Sequence, residues 1–345
     1  MSAAPLSPQI VYRVEGLFDG KGGGVAADLS GAACMPPRPD GSRLCLFIND
    51  ESRRAQFATV NDRTIFPGDT VKLTGKTLPE DIPGSPPEAE CPGGEDEHGE
   101  FDGEGVAYAE PYFYVVGSHG CSRRSGKFNL ASFLLARIKV NPDGIPADEN
   151  GKALPERRWG DAVELTYRLS EVLRRAEPVG AYFAKSLDET VNGLNIEGLA
   201  VDGKRLLVGL RAPCLDGSAF IVSTELSSLF AAGDEPSTGA AEVIPLTLGQ
   251  TMGIRDLASL PDGRLVVLAG SAQDQPLPYR IFVAEPRAGG ALAEIGELEP
   301  VPGVEGNAKA EALAVLGVED GKAHVLVLFD GAENGAPIGL TLRLP

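Results

Sequence analysis

The stretch Asn195-Ile196-Glu197-Gly198-Leu199-Ala200 is followed, across Asp202-Gly203, by Arg205-Leu206-Leu207-Val208-Gly209-Leu210. An Asp-Gly pair between two apolar runs is the strongest short-range signal for a β-hairpin, because tight hairpin turns need residues that tolerate positive φ. The pattern recurs along the chain. Asp102-Gly103-Glu104-Gly105-Val106-Ala107 precedes a run at 112–117, and Gly253-Ile254-Arg255-Asp256-Leu257-Ala258 precedes one at 264–269. Lys309-Ala310-Glu311-Ala312-Leu313-Ala314 precedes 324–329, and a weaker copy, Asp28-Leu29-Ser30-Gly31-Ala32-Ala33, precedes 44–49. Each unit reads as a small-residue strand, a turn, a β-branched strand and a third alternating strand, such as 219–222 or 279–283. More polar fourth strands are expected at 70–73 and 241–244. Repeated four-stranded antiparallel units predict an all-β chain, a β-propeller.

Counted from Ser30, the pattern returns after 74, 93, 58 and 56 residues. The count gives five blades, or six if the long second unit hides another. One domain over 1–345 is expected, with surface insertions at about 78–100 and 141–190, the second holding a strand and a helical turn or two. The last unit has three strands, and 9–14 is an unassigned strand at the other end of the chain. Pairing it as the fourth strand of the last blade would close the ring and remove an exposed edge.

Composition narrows function by exclusion. The 345 residues carry 31 Lys and Arg against 49 Asp and Glu, a formal charge of −18. A general nucleic-acid binder needs a cationic face, and so does a protein that docks on anionic lipid, so neither partner is expected. With 43 Gly and 27 Pro the chain is dense in turns, and 43% apolar residues suit a globular protein. No apolar stretch has the length of a membrane span, and the first residues lack the basic and apolar regions of an export signal. Five cysteines without a C-x-x-C pair leave no closed disulfide framework and no zinc ribbon. A cytoplasmic, reducing location is therefore expected, although a signal removed from the chain would look the same.

Aligning the five copies puts Ser30, Glu104, Glu197, Arg255 and Glu311 at one position of the innermost strand. A second position, at the end of the next strand, holds Asp50, Ser118, Arg211, Gly270 and Asp330. Inner strands of a propeller line its axis, so each set should form a ring. Confined acids repel and need arginine, protons or a cation beside them. Hard carboxylates without neighbouring His or Cys suit Ca²⁺ or Mg²⁺, with Glu104, Glu197 and Glu311 as the expected ligands. Equally, Arg211 and Arg255 could neutralise Glu197 and Glu311, making the rings internal struts. His119, in Gly117-Ser118-His119-Gly120, is the candidate general base. The basic segment after it, with Arg123, Arg124 and Lys127 beside Ser118 and Ser125, is a candidate anion site. No G-x-G-x-x-G opens a helix after a strand, so no nucleotide cofactor is expected, and no G-x-S-x-G elbow occurs.

Phe-Asp-Gly-Glu-Gly-Val-Ala at 101–107, Val-Val-Gly-Ser-His-Gly at 115–120, Asn-Ile-Glu-Gly-Leu-Ala at 195–200, Leu-Val-Gly-Leu-Arg-Ala-Pro at 207–213 and Gly-Ile-Arg-Asp-Leu-Ala at 253–258 together resemble bacterial domain-of-unknown-function family 3616. The resemblance implies a propeller and no particular reaction. The Asp-x-Glu-Gly pattern is also similar to the esterase-like phytase and lactonase propellers, which implies Glu104 and Glu197 as metal or substrate contacts. The expected function is binding of a small polar, anionic or sugar-like ligand at the axial mouth. In its enzymatic form this is a metal-dependent hydrolase of phosphoesters or lactones, with Arg211, Arg255 and Arg123 holding negative charge and Asp50, Ser118 and Asp330 lining the site. The alternative is a non-catalytic sensing or protein-interaction propeller.

Overall fold

The structure is a computed structural model that describes residues 4–345 apart from 89–90, 96–98, 123–124, 234, 238, 274, 302–303 and 305–307. The described residues form five sheets, each opening on one of the repeated motifs. The inner strands are Leu29–Cys34, Gly103–Ala109, Asn195–Asp202, Met252–Ser259 and Lys309–Glu319, which number blades one to five. Every inner strand pairs antiparallel with the strand after it, and the sheets meander outward from there. The expected β-propeller is present, with five blades. The long second unit supplies a fourth strand, Val163–Thr166, and a short helix, Arg168–Arg174, rather than a sixth blade.

Burial follows the blades. Buried apolar side chains fall into five clusters, each joining two neighbouring blades around the ring. Leu, Val, Ile and Phe of the second strands contribute to every one of these clusters, and burial of such side chains is the main favourable term in folding. The helix adds Leu169, Val172 and Leu173 to the cluster between blades two and three.

The start of the chain closes the ring more broadly than expected. Ile10–Val11 pairs antiparallel with Ile338–Arg343 and completes blade five, as the unassigned strand was expected to do. Pro5–Leu6, however, adds in parallel to the outer strand of blade four, and Arg13–Val14 adds in parallel to the outer strand of blade one. One short segment thus straps three consecutive outer edges. Two-residue strands carry no alternation, so the sequence pattern could not separate them.

The cysteines correct another expectation. Cys34 and Cys45, opposite each other on the first two strands of blade one, form a disulfide, and so do Cys91 and Cys121. The odd residue is Cys214. An odd count excludes only complete pairing; it does not exclude pairs that the fold brings face to face. The Cys91–Cys121 bond ties the acidic insertion to the loop after His119, where Gly93 N donates to Gly126 O at 2.9 Å and Phe128 N to Gly94 O at 2.7 Å.

The strap should behave as part of the fold. Deleting residues 1–15 exposes three strand edges and removes several backbone hydrogen bonds, each worth about 1 kcal/mol net. Chemical denaturation should then show a loss of roughly 3 kcal/mol or more, with a tendency to associate. An unchanged unfolding midpoint would contradict this role.

Candidate functional site

All five first-ring residues sit on a β-bulge. The pairing of the inner strand with its neighbour slips at Ser30, Glu104, Glu197, Arg255 and Glu311 in turn. A bulge leaves its extra residue out of the ladder and re-aims the side chain, here toward the common axis. The next position holds Gly31, Gly105 and Gly198 in blades one to three because the inner strands touch there. A Cβ on Gly105 would lie 2.8 Å from Leu199 Cβ, and one on Gly198 would lie 3.0 Å from Leu257 N.

On the side of blades three to five, charge is balanced internally. Arg211 Nη1 donates to Glu197 Oε1 at 2.7 Å, and Arg255 Nη2 lies 3.1 Å from Glu197 Oε2 while also pairing with Glu311. Arg211 Nε further donates to Ala272 O at 2.8 Å. These side chains are almost wholly buried. Gly270 makes the arrangement possible, since a Cβ there would meet the Tyr279 ring at 2.6 Å and the Arg255 stem at 3.1 Å. The strut reading of Arg211, Arg255, Glu197 and Glu311 therefore describes this half. Glu197 and Glu311 are committed to arginine, and among the described residues no three His, Cys, Asp or Glu side chains are grouped to hold a metal ion. The arginines expected to hold an anion are likewise committed.

Asp256 was overlooked by the motif alignment, although it stands where the other copies have Gly or Ala. Its carboxylate is fully buried and accepts from Leu257 N at 2.7 Å and Leu313 N at 2.6 Å, with Leu199 N also contributing. One side chain thereby fastens the inner strands of blades three, four and five. Burial pushes its pKa well up, and the amide donors oppose that shift.

The side of blades one and two, together with the end of blade five, has a different balance. Glu104 is 9% exposed, and no group among the described residues donates a hydrogen bond to it. Burial raises its pKa well above the ordinary carboxylate range, reinforced by Glu197, Asp102 and Asp50 and opposed by Arg255. Asp50 has a buried oxygen, Oδ1, without a hydrogen-bond partner. Burial, then Asp102, Asp28, Asp330 and Glu51, push its pKa up to about 9. Asp28 is pushed up to about 6 by burial and by Asp330. Ser118 Oγ donates to Asp102, Ser30 Oγ donates to Asp28 O at 3.3 Å, and Asp330 has Lys309 Nζ at 3.7 Å. Of the expected second ring, Asp50, Ser118 and Asp330 thus join Glu104 in an acidic half, whereas Arg211 belongs to the strut half.

His119 is placed differently from a general base. It is completely buried, its Nδ1 lies 2.9 Å from Gly117 O, and its ring packs against Phe133. Nε2 has no partner, and burial lowers the pKa to about 4, so the ring is neutral and enclosed. Arg123 and Arg124 lie outside the described residues, as does His98. At the other end of the axis a narrow cavity of about 80 Å³ is lined by Ala32, Ala107, Ala200 and Ala258.

Residues 88–336 match the family described as a protein of unknown function (DUF3616). The chain belongs to that family. No curated protein matches the sequence. Solved structures with a similar course include the α-L-arabinofuranosidase PaAbf62A of Podospora anserina, crystallised with cellotriose: 11% identity, TM-score 0.40, covering 99% of this chain and 96% of that one. The GH62 α-L-arabinofuranosidase catalytic domain of Coprinopsis cinerea gives 11% identity and a TM-score of 0.44, covering 99% and 97%. The endo-arabinase of Bacteroides thetaiotaomicron gives 11% identity and a TM-score of 0.38, covering 92% and 94%. No helix among the described residues is long and apolar enough to cross a membrane.

Two outcomes follow from the geometry. Replacing Arg255 by Met leaves Glu197 and Glu311 buried without their shared partner, so denaturation should show a loss of about 3–5 kcal/mol; a loss near zero would mean that the network is not a strut. The raised pKa values of Asp28 and Asp50 make ionisation costlier in the folded chain than in the unfolded one. Their stabilising effect is complete below the ordinary value of 3.8 and is lost as pH rises through about 6 and then about 9. Stability of the wild type should therefore fall toward alkaline pH, and Asp50→Asn should flatten the upper part of that fall. An identical pH profile in the variant would contradict the assignment.

Proposed function

We propose that the DUF3616 chain is a small-molecule-binding propeller whose ligand site is the acidic half of the axial mouth, lined by Asp28, Asp50, Asp102, Glu104, Ser118 and Asp330. The carrying observation is the inequality of the two halves. Glu197 and Glu311 are neutralised by arginine, while Glu104 has no donor among the described residues and Asp50 keeps a buried oxygen without one. An occupant able to donate hydrogen bonds would relieve both.

This reading favours a hydroxyl-rich or otherwise donor-bearing ligand over an anionic one, because Arg211 and Arg255 are already engaged. A phosphoester would find both of those guanidinium groups already paired with carboxylates. The hydrolytic form of the reading has support in Asp50: a carboxyl held up to about 9 keeps its proton at neutral pH and can deliver it to a leaving oxygen, as a general acid must. Two disulfides support an oxidising compartment over the cytoplasm.

Saturation-transfer NMR with a panel of monosaccharides, amino sugars and sugar phosphates tests the proposal. Unphosphorylated members should give signals that vanish in Glu104→Ala, while sugar phosphates give none. Preferential binding of the phosphates, or signals that persist in Glu104→Ala, would overturn it.

A further inference from the structure

We propose that a cleft between the outer strands of blade one and the insertion of blade two is a binding site for a small uncharged aromatic compound of phenol or indole size. The site does not depend on the function proposed for the axial mouth.

Strand register makes one wall. The second, third and fourth strands of blade one are Arg43–Asn49, Arg54–Val60 and Thr64–Lys72, and Leu44 pairs with Thr59, which pairs with Phe66. These three form a cross-strand row on the same face as Phe57, two residues from Thr59. That face packs on blade two, since Phe57 shares a buried cluster with Phe113 and Ile138. Register thus turns Phe66 toward the interior, yet it stays 37% exposed. The insertion supplies the other wall. Asn141 Oδ1 accepts from Asp143 N at 3.1 Å and from Ile145 N at 2.8 Å, pinning the turn that carries Ile145. Gly144 lets that turn sit on blade one, because a Cβ there would lie 2.1 Å from Leu44 Cδ2. Trp159, anchored by Nε1 donating to Leu154 O at 3.1 Å, meets Phe57 edge to face with ring centroids 5.7 Å apart.

Between these walls the described residues leave about 190 Å³, lined by Leu44, Phe57, Phe66, Ile145 and Trp159. Of the seven large apolar side chains exposed among the described residues, Phe66 and Ile145 both line this one cleft. Thr59 and Asp69 are also at the cleft, as is Arg38, whose Nη2 donates to Asp143 O at 3.2 Å. Size and chemistry select the occupant. An apolar cavity of about 150 Å³ takes up benzene, so this cleft has room for one ring or two fused ones. Phe66 has no ring partner among the described residues, and an aromatic occupant would supply one in the geometry that Phe57 and Trp159 already adopt. A sugar would press hydroxyls against Leu44, Phe57 and Ile145, where they find no partners, and a charged group would be buried against the same side chains. A peptide strand does not suit this edge, since Pro67 lacks an N–H and the pairing slips between Gln56 and Ala58.

Trp159 is the chain's single tryptophan, so its emission reports this cleft. Titrating the full chain with benzyl alcohol and with p-cresol should give a saturable change in that emission, with affinity of about a millimolar or tighter. Cyclohexylmethanol and D-glucose should bind about fivefold or more weakly. Phe66→Ala, at an exposed position, should weaken benzyl alcohol binding about tenfold, and Thr59→Phe, which fills the cleft, should abolish it, with circular dichroism confirming the fold of each. No saturable response to either aromatic, an equal response to cyclohexylmethanol, or a preference for glucose would overturn the proposal. Aromatic binding unchanged in both variants would place the ligand elsewhere and overturn it as well. An emission that changes with protein concentration alone, matched by dimerisation in sedimentation and without aromatic binding, would overturn it in favour of a second copy as the cover.

Discussion

Arg255 reaches from blade four to carboxylates supplied by blades three and five, and the closure of the axis depends on that contact. A propeller brings the starts of its inner strands into a confined space, where acids cannot be left ionised side by side. Putting a guanidinium at one position of the ring solves the problem for two neighbours at once. Asp256, the next residue, ties the backbone of the same three blades, so side-chain and main-chain links coincide. Breaking such a network costs more than the pair itself contributes, because the abandoned charge stays buried.

The same constraint sets the character of the other half. Ser30 and Ser118 put no guanidinium at the corresponding ring positions of blades one and two, and burial raises the pKa of both Asp50 and Glu104. The division of the ring is thus a division of labour. One side holds the inner strands together, and the other carries the carboxyls that burial pushes above their ordinary range. The bulge at each ring position makes both possible, since it turns every one of these side chains out of the ladder.

Much of this could be read from residues alone, because the fold is written five times. The repeated hexapeptides, the Asp-Gly turns and the alternating runs gave five blades and the two rings, since the period of a strand is short and each copy checks the others. The opposition of struts and site was also legible, but not its outcome. Whether Arg211 serves Glu197 or an external anion depends on rotamers and on Gly270 making room, which no linear spacing encodes. Asp256 escaped notice because its partners are backbone N–H groups from other blades. His119 misled for a related reason: the end of a strand can face inward, and here Phe133 covers the imidazole. The disulfides depend on strands lying face to face, which an odd cysteine count cannot reveal.

Site-resolved carboxyl ¹³C NMR across a pH titration, with Asp50 assigned through Asp50→Asn, tests the unequal halves most directly. The account predicts that Asp50 titrates near 9 and Asp28 near 6. Titration of both in the ordinary aspartate range near 3.8 would contradict it, because the acidic half would then be solvated surface with no unmet demand for a partner.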